Sequence, residues 1–355
     1  MTGYERAIRT LTFQSTDYVP TWGGWIVSED FFEYITGRNF WQDPRGTAIE
    51  TYRKLGVAIV LQVMFLPNSP EEWRTSVDPA DLIRRLSYRS PEDIIDYVGI
   101  LRDPNEIKKD FDFDTEMKVL CNSYRKFQEE LGSDILCMPS CSCTRFTWYT
   151  EFGYENYLMA FILYPDIMKK LFNYSAEEAR LRNMLLAELV KQNEIPPYFF
   201  TGNDICGKSG PMVSPEILRS VYFPYLKYAL EPLVNICAEI IWHSDGYIIP
   251  IINDLIDCGI SGFQGFQEET GFDIGDIANK RVRSGRKPLI MAGLAVDRVL
   301  PFGKSEDVEH EIERIIKQAG AGGGLIIGTS NTAGPDCPNE NLEALYTYKH
   351  AYDSF

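Results

Sequence analysis

His243 is the residue of this sequence best placed to do chemistry. It is one of three histidines, and it ends the apolar run that begins at Glu239; His310 and His350 fall in predicted helices instead. The spacing His-x-Asp puts His243 and Asp245 on one face of an extended chain. An imidazole beside a carboxylate can bind a metal ion or work as an oriented acid–base pair. A plainer interpretation stays open, in which both side chains only form hydrogen bonds at a strand end.

Two further acids follow predicted strands. Asp204 closes one strand, where it can bind substrate or metal or form an Asx turn with loop amides. Glu151 lies just beyond another strand. We predict that His243, Asp245 and Asp204 are catalytic. If a metal ion is bound, we predict His243, Asp245 and Glu151 as its ligands.

Aromatic side chains make up 13% of the sequence, and several fall at the ends of predicted strands. They can line an apolar ligand pocket, or they can be packing around the first strand. The predicted substrate-binding residues are Trp22, Trp25, Trp148, Gln264 and Asn331.

Two motifs that often carry function are interpreted as structural. Gly320-Ala-Gly-Gly-Gly324 leaves a helix and enters a strand, whereas a phosphate cradle runs from a strand into a helix, so we predict a helix cap and a tight turn. Cys137, Cys141 and Cys143 cluster, but the eight cysteines lack the paired C-x-x-C spacing of a structural zinc site. We expect reduced thiols.

The elements that position these residues alternate regularly between strand and helix. Short β-branched or aromatic runs end in polar residues or glycine, and amphipathic stretches follow them. The predicted strands are Tyr18–Gly24, Val57–Phe65, Asp134–Ser142, Tyr198–Asp204, Glu239–Asp245, Ile260–Phe266, Pro288–Gly293 and Gly324–Ser330. The predicted helices are Asn105–Leu131, Tyr154–Gln192, Pro215–Ala238, Ile248–Cys258, Ile274–Ser284 and Lys304–Ala319.

Eight strands alternating with helices predict an α/β fold, a single (β/α)8 TIM barrel over residues 1–355. The less regular part before about residue 110 is predicted to be helical and loop decoration. An open doubly wound sheet is the competing architecture, but Trp22-Gly23-Gly24-Trp25 is not the glycine-rich turn that it requires. Chemistry in such barrels lies at the carboxyl ends of the strands, where the candidate residues fall.

The charge of the chain limits its partners. Asp and Glu number 51 against 35 Lys and Arg, which gives a net charge of −16. A chain this acidic repels phosphate backbones and anionic membranes, so we expect neither as a partner. The N-terminus lacks the apolar region of a secretory signal, and no apolar run is long enough to span a bilayer. We therefore expect a cytoplasmic protein.

Four blocks of sequence, spread over nearly the whole chain, match the pattern of one known family. They are Glu5–Arg9 with Asp17-Tyr-Val-Pro20, Gly202–Glu216 with Phe223-Pro-Tyr-Leu226, His243-Ser-Asp-Gly246 with Ile249–Gly259, and Gly324–Asn331 with Pro338–Leu342. Together they resemble the uroporphyrinogen decarboxylase superfamily, and most closely its corrinoid-linked methyltransferase branch. The resemblance implies a (β/α)8 barrel.

The sequence departs from this branch at the metal site. The zinc methyltransferases of the branch hold zinc with a His-x-Cys pair and a later cysteine. Asp245 and Asn331 occupy those cysteine positions here. Zinc accepts histidine and carboxylate ligands, but asparagine is a poor one. We expect either a site of nitrogen and oxygen ligands that recruits Asp204 or Glu151, or no metal, and in neither case a cysteine-ligated zinc.

The resemblance implies a methyltransferase that moves a methyl group between a small methylated substrate, such as a methyl ether or amine, and a corrinoid (cobalamin). The corrinoid is expected on a partner protein or bound transiently. Two alternatives stay open. One is a decarboxylase or lyase acting on a smaller acid, with Arg145 or Lys208 holding the carboxylate, and the other is a non-catalytic ligand-binding barrel. Uroporphyrinogen itself is disfavoured, because Thr21–Val27 offers no cation to a polycarboxylate.

Overall fold

The strands that carry the candidate residues are short and mostly parallel. The computed structural model describes residues 1–64, 66 and 88–348. In chain order its strands are β1 (Trp25–Ile26), β2 (Ile59–Leu61), β3 (Leu136–Met138), β4 (Tyr198–Gly202), β5 (Cys206–Gly207), β6 (Gly210–Pro211), β7 (Glu239–His243), β8 (Gly262–Gly265), β9 (Leu289–Leu294), β10 (Leu325–Thr329) and β11 (Thr332–Ala333).

Helices occupy most of the intervals between these strands. They are α1 (Gly3–Leu11), α2 (Glu29–Thr36), α3 (Pro44–Leu55), α4 (Asp93–Ile100), α5 (Pro104–Asp110), α6 (Phe113–Leu131), α7 (Tyr149–Phe152), α8 (Tyr154–Leu163), α9 (Pro165–Lys191), α10 (Pro215–Val221), α11 (Phe223–Val234), α12 (Ile252–Cys258), α13 (Ile274–Ala278), α14 (Val299–Phe302), α15 (Ser305–Ala319) and α16 (Asn339–Thr347). Within the described residues no helix combines the length and the apolarity that a membrane crossing needs.

Five strands form one continuous parallel sheet in the order β10-β9-β8-β7-β4. The strands β2 and β3 form a separate parallel pair, β1 pairs with β11, and β5 with β6. Single parallel bridges join Thr21 to Ile327, Trp22 to Ile59, and Ser140 to Phe200. The α/β class of the prediction is confirmed, but the pairing is divided between sheets rather than continuous around eight strands.

The predicted first strand, Tyr18–Gly24, is much shorter than expected. Only Thr21 and Trp22 form bridges to neighbouring strands. Pro20 has no N–H to donate to a strand ladder, and Gly24 turns the chain with φ at +68°. Each of the other seven predicted strands overlaps an observed strand, and the observed β9 ends one residue after the predicted Gly293. Phe65, the predicted end of the second strand, lies outside the described residues.

Three predicted helices are each divided in two: Asn105–Leu131, Tyr154–Gln192 and Pro215–Ala238. Asp112 separates α5 from α6, because its carboxylate accepts the N–H of Thr115 and so begins a new helix. Pro165 begins α9, and Tyr164 before it leaves the helical conformation. Pro224 lies in the first turn of α11, where its missing N–H breaks no helical hydrogen bond. Breaks at caps and prolines are therefore the source of this difference.

Alternation along the strands creates two hydrophobic layers. On β7, Ile240 and Trp242 belong to the layer shared with the helices, and Ile241 belongs to the opposite layer with Met138 and Met291. Successive side chains of a strand point to opposite faces, so His243 shares its face with Ile241. The strand therefore places the imidazole on the inner side, at the point where the apolar layer ends.

Candidate functional site

Three titratable side chains meet at the carboxyl end of the sheet. His243 is the last residue of β7, and His243 Nε2 lies 3.7 Å from Asp204 Oδ1 and 3.9 Å from Asp245 Oδ1. Asn331, in the loop after β10, donates from Nδ2 to Asp245 Oδ2 over 2.7 Å. The predicted grouping of these four residues at one end of the strands is confirmed. Their chemical roles remain predictions.

Gln264 fixes the position of the proton on the imidazole. It is the register partner of His243 on β8, and its Nε2 donates to the backbone oxygens of Thr329 (3.4 Å) and Ser330 (3.2 Å). Its Oε1 is therefore the atom that lies 2.6 Å from His243 Nδ1. An amide oxygen only accepts, so Nδ1 carries the hydrogen. In the neutral imidazole the lone pair is then on Nε2, which faces the two carboxylates.

Asp245 is held with one oxygen unsatisfied. Its Oδ2 accepts from Asn331, whereas Oδ1 is buried and has no hydrogen-bond partner among the described residues. Burial raises the pKa of the Asp245 carboxyl and the charge of Asp204 raises it further, while His243 and Asn331 lower it. A buried carboxylate oxygen without a partner costs free energy. A cation or a proton beside Oδ1 would offset that cost.

The same three side chains fit a divalent metal ion. One ligand atom from each of Asp204, His243 and Asp245 lies within 4.8 Å of the other two. Zinc bonds of about 2.0–2.2 Å in tetrahedral geometry separate adjacent ligand atoms by about 3.4 Å, which is close to the 3.7 Å and 3.9 Å measured from the imidazole. A metal-binding imidazole usually donates its other N–H to an oxygen, as His243 does to Gln264.

The ligand set is of the nitrogen and oxygen type. Within the described ranges, no cysteine joins Asp204, His243 and Asp245 in a group that could hold an ion. Three protein ligands leave a fourth position of a tetrahedron open, which is the pattern of catalytic rather than structural zinc. The arrangement therefore suits an ion that contacts substrate.

A cavity of about 470 Å³ adjoins this cluster. Trp25 forms one wall, with its ring edge-on to the imidazole of His243 at 4.8 Å between centres, and Phe200 lies 6.4 Å from the same ring. Of the described residues that line the cavity, Asp204 and Asp245 are the only ones with a formal charge when His243 is neutral. The cavity is sized for a small molecule and combines aromatic walls with negative charge.

Comparison with known proteins places the chain in a family. The family model described as uroporphyrinogen decarboxylase (URO-D) matches residues 94–352, well over half of the chain. The chain belongs to the uroporphyrinogen decarboxylase family. A solved structure of a methyltransferase from Methanosarcina mazei is similar to it, with a TM-score of 0.64, 14% sequence identity and 97% of each chain covered. That identity establishes likeness of fold alone. A search of curated proteins found no match.

Two of the predicted substrate-binding tryptophans do not line the cavity of this URO-D family member. Trp22 is completely buried and packs edge-on against Trp25, with 5.6 Å between ring centres. Trp148 is buried beneath the guanidinium of Arg145 at 4.5 Å. Predicting these two as cavity walls was wrong, because a position after a strand does not reveal which way the side chain turns. Trp25 is the tryptophan of the three that faces the cavity.

The predicted metal ligand Glu151 is engaged elsewhere. Both of its carboxylate oxygens accept from Nη2 of Arg145, at 2.6 and 2.8 Å, and it is absent from the cluster of candidate ligands. This prediction was also wrong, since the strong local ion pair satisfies the carboxylate. The same pairing occupies Arg145, and Lys208 is exposed in the turn between β5 and β6. Neither cation lines the cavity.

Gln264 was predicted to bind substrate, but it lies behind His243 and not at the cavity wall. It is 3% exposed and does not line the cavity, so it positions His243 instead of contacting a ligand. Asn331 does line the cavity, and its substrate-binding role remains a prediction.

The sequence reasoning missed Phe200 and Asn203. Phe200 lines the cavity, and the period-two alternation of β4 could have identified it. Asn203 is buried; its Nδ2 donates to the backbone oxygen of Thr144 and its Oδ1 accepts from the N–H of Phe146. It therefore fixes the loop that follows β3, and its place within Gly202-Asn-Asp was the available signal.

Proposed function

We propose that this member of the URO-D family is a methyltransferase that moves a methyl group from a small methylated substrate to a corrinoid. The observation that carries the proposal is the cluster of His243, Asp204 and Asp245 beside a cavity of about 470 Å³. A methyl group on oxygen or nitrogen leaves readily only when that atom is polarised, and the cluster is the group of side chains able to do this. The methyltransferase from Methanosarcina mazei with a similar fold supports the same reading.

His243, Asp204 and Asp245 would hold a divalent ion such as zinc at this site. When bound, such an ion supplies Lewis acidity to the heteroatom that carries the methyl group. Gln264 keeps the proton on Nδ1 of His243, so that Nε2 is free to act as a ligand. Asn331 restrains one oxygen of Asp245, and the other, Oδ1, would be available to the ion. In the absence of a metal, the proton for the leaving atom would come from Nε2 of a doubly protonated His243 or from the carboxylic acid form of Asp245, and that group would be left unprotonated after the transfer.

The charges in the cavity favour a neutral substrate with a lone pair, such as a methyl ether. An acidic substrate would meet Asp204 and Asp245, with no cationic side chain among the described lining residues. Decarboxylation of an anionic tetrapyrrole, the reaction for which the family is named, is therefore disfavoured on electrostatic grounds. The same argument weakens the proposal of a lyase for a smaller acid.

The corrinoid would supply the cobalt(I) nucleophile that accepts the methyl group. Because the cavity is sized for a small molecule, we place the corrinoid at its mouth, carried by a partner protein or bound transiently. Trp25 and Phe200 would orient the substrate within the cavity, and orientation contributes strongly to the rate of a displacement.

We also infer that the parallel strands close into a (β/α)8 barrel. The bridges Thr21 to Ile327, Trp22 to Ile59 and Ser140 to Phe200 link the five-stranded sheet to the pair β2–β3 on both sides. The family match and the similar solved fold support this closure.

The proposal is tested by incubating the purified protein with reduced cobalamin and a panel of methyl ethers, methylamines and carboxylic acids. We expect methylcobalamin to form, as followed by its visible spectrum, with at least one neutral methylated compound. If a metal ion polarises the leaving atom, metal-stripped protein should lose this activity and regain it with zinc, whereas activity that survives stripping would assign the polarisation to proton delivery. Release of carbon dioxide from an acid, without methyl transfer to cobalamin, would contradict the proposal.

The ligand set is tested separately by X-ray absorption on the zinc-loaded protein. We expect only nitrogen and oxygen neighbours. Two or more sulfur ligands at about 2.3 Å from zinc would contradict the site built from His243, Asp204 and Asp245.

A further inference from the structure

A second cavity, of about 550 Å³, lies at the opposite end of the sheet, where β9 and β10 begin. Its cationic lining residues are Arg281, Arg286 and Lys287, and none of its described lining residues is acidic. They belong to the segment Lys280–Lys287, which holds five Lys and Arg residues in eight positions and no acid. In a chain with a net charge of −16 this basic segment is a local exception.

The partners of these three cations leave positive charge in excess. Arg286 forms an ion pair with Glu239. Lys287 donates from Nζ to two backbone oxygens at the end of α15, at 2.8 and 2.5 Å, and not to a carboxylate. Arg281 donates to the backbone oxygens of Asn279 and Lys280. Within the described part of the chain, these three cations therefore share one carboxylate partner, Glu239.

Lys287 is the most constrained of these cations. It is half-buried, and burial, followed by the charge of Arg281, lowers its pKa to about 8. A partly buried ammonium beside a guanidinium and without a counter-ion is unfavourable for the folded chain. A bound anion would remove that cost.

The geometry points to this cavity as a binding site for the phosphate group of a small anionic ligand. Guanidinium groups bind phosphate oxygens through paired, charge-assisted hydrogen bonds, and a lysine adds a point charge. Phe13 contributes an aromatic wall, with the guanidinium of Arg286 over its ring at 4.4 Å. The volume is enough for a small phosphorylated molecule.

The glycine-rich turn leaves this cavity open. Gly322 lines it, has φ at +76°, and would place an added Cβ more than 4 Å from any neighbouring atom. A ligand can therefore approach the backbone there. The site lies at the far end of the strands from His243 and does not depend on the proposed methyl transfer.

The site is tested by calorimetric titration of the full chain with inorganic phosphate, pyrophosphate and ATP at physiological salt. We compare Arg281→Gln with Arg283→Gln, a matched control in which an exposed arginine of the same segment lines a different cavity. Arg281→Gln should weaken binding about tenfold or more, and Arg283→Gln less than about twofold. Lys287→Met is a second variant, with circular dichroism as its folding control because Lys287 also holds the end of α15.

Saturable binding of phosphate or pyrophosphate that Arg281→Gln weakens selectively supports the proposal. Saturable binding of ATP, without binding of phosphate or pyrophosphate, also supports the proposal and indicates that the phosphate group belongs to a nucleotide. Absence of saturable binding by all three probes would overturn it. An equal loss in Arg281→Gln and Arg283→Gln would also overturn it, because the binding would then be diffuse attraction to the whole basic segment.

Discussion

The two ends of the parallel strands differ in charge and in how their charged groups come together. At the carboxyl end, His243 and Asp245 stand at the end of β7 and Asp204 follows the neighbouring strand β4, and together they leave a buried oxygen unsatisfied. At the amino end, Arg281, Arg286 and Lys287 come from one continuous segment and are partly satisfied by nearby carbonyls and one acid. The first cluster therefore needs the pairing of β4 with β7 to bring Asp204 to the other two residues, whereas the second is formed by local sequence.

The largest expected effect belongs to the carboxyl end. If His243 polarises the leaving atom, His243→Ala should lower kcat and kcat/KM together by about 10²- to 10⁴-fold, since it removes a group that acts in the transition state. The assay is the rate of methylcobalamin formation, with circular dichroism as the folding control. A folded variant with wild-type rates would remove this histidine from the mechanism.

Replacing Gln264 tests whether the register of β7 against β8 is enough to position the imidazole of His243 at the carboxyl end. Gln264→Met keeps the volume but removes the acceptor for Nδ1–H of His243. Loss of such a supporting hydrogen bond typically costs about 10- to 100-fold in activity or metal affinity. We expect a loss of that size together with a change in the tautomer of His243, measured by nitrogen NMR. An unchanged tautomer would show that Gln264 has only a packing role.

The glycine turn at the amino end is expected to affect stability without affecting catalysis. An added Cβ at Gly324 would lie 2.3 Å from the ring of Phe13, whereas one at Gly322 would meet nothing, although both have φ near +75°. We expect Gly322→Ala to lower the free energy of unfolding by about 1 kcal/mol from backbone strain. Gly324→Ala should lower it by about 2 kcal/mol more, from the clash. Urea unfolding measures both, and equal losses would refute the steric argument.

The smallest expected effect is a gain in stability at the carboxyl end. Because burial raises the folded-state pKa of Asp245, the folded chain binds more protons than the unfolded chain between the two pKa values. Its stability therefore falls as pH rises from the ordinary pKa through the folded one, and stays lower above it. Asp245→Asn should raise the free energy of unfolding at neutral pH by about 1 kcal/mol while abolishing zinc binding.

This gain is measured by urea unfolding between about pH 4 and about pH 8, where the variant should lack the decline contributed by Asp245. Asp204→Asn is the matched control, since Asp204 belongs to the same cluster but is more exposed, at 42% against 28% for the side chain. A larger gain in the free energy of unfolding from Asp204→Asn would contradict this prediction, because the unfavourable burial would then belong to Asp204.

The sequence predicts the positions of most strands and the meeting of His243, Asp245, Asp204 and Asn331. It does so because all four follow predicted parallel strands, and the carboxyl ends of such strands meet. It fails for Glu151, because an ion pair with Arg145 six residues away was as available to it as the distant imidazole. It fails for Trp22 and Trp148, because loop backbone sets the direction of a side chain and a spacing rule does not.

Gln264 shows a further limit of sequence reasoning. Its role depends on three hydrogen bonds, one to His243 on β7 and two to the backbone around the end of β10. Such a network requires the register of β7 against β8 and the path of another loop, neither of which the sequence pattern specifies. The basic segment Lys280–Lys287 was readable from sequence, but its cavity exists only once Phe13 and Gly322 are brought beside it.

The contact between Asn331 and Asp245 has a consequence for how such a site changes through evolution. The resemblance drawn from the sequence puts these two residues at positions where the zinc methyltransferases carry thiolates, and their side chains touch, at 2.7 Å. Substitutions at touching residues are not independent, so replacing either one alone would leave its neighbour with an unsuited partner. Conversion between a thiolate site and this one therefore favours paired changes.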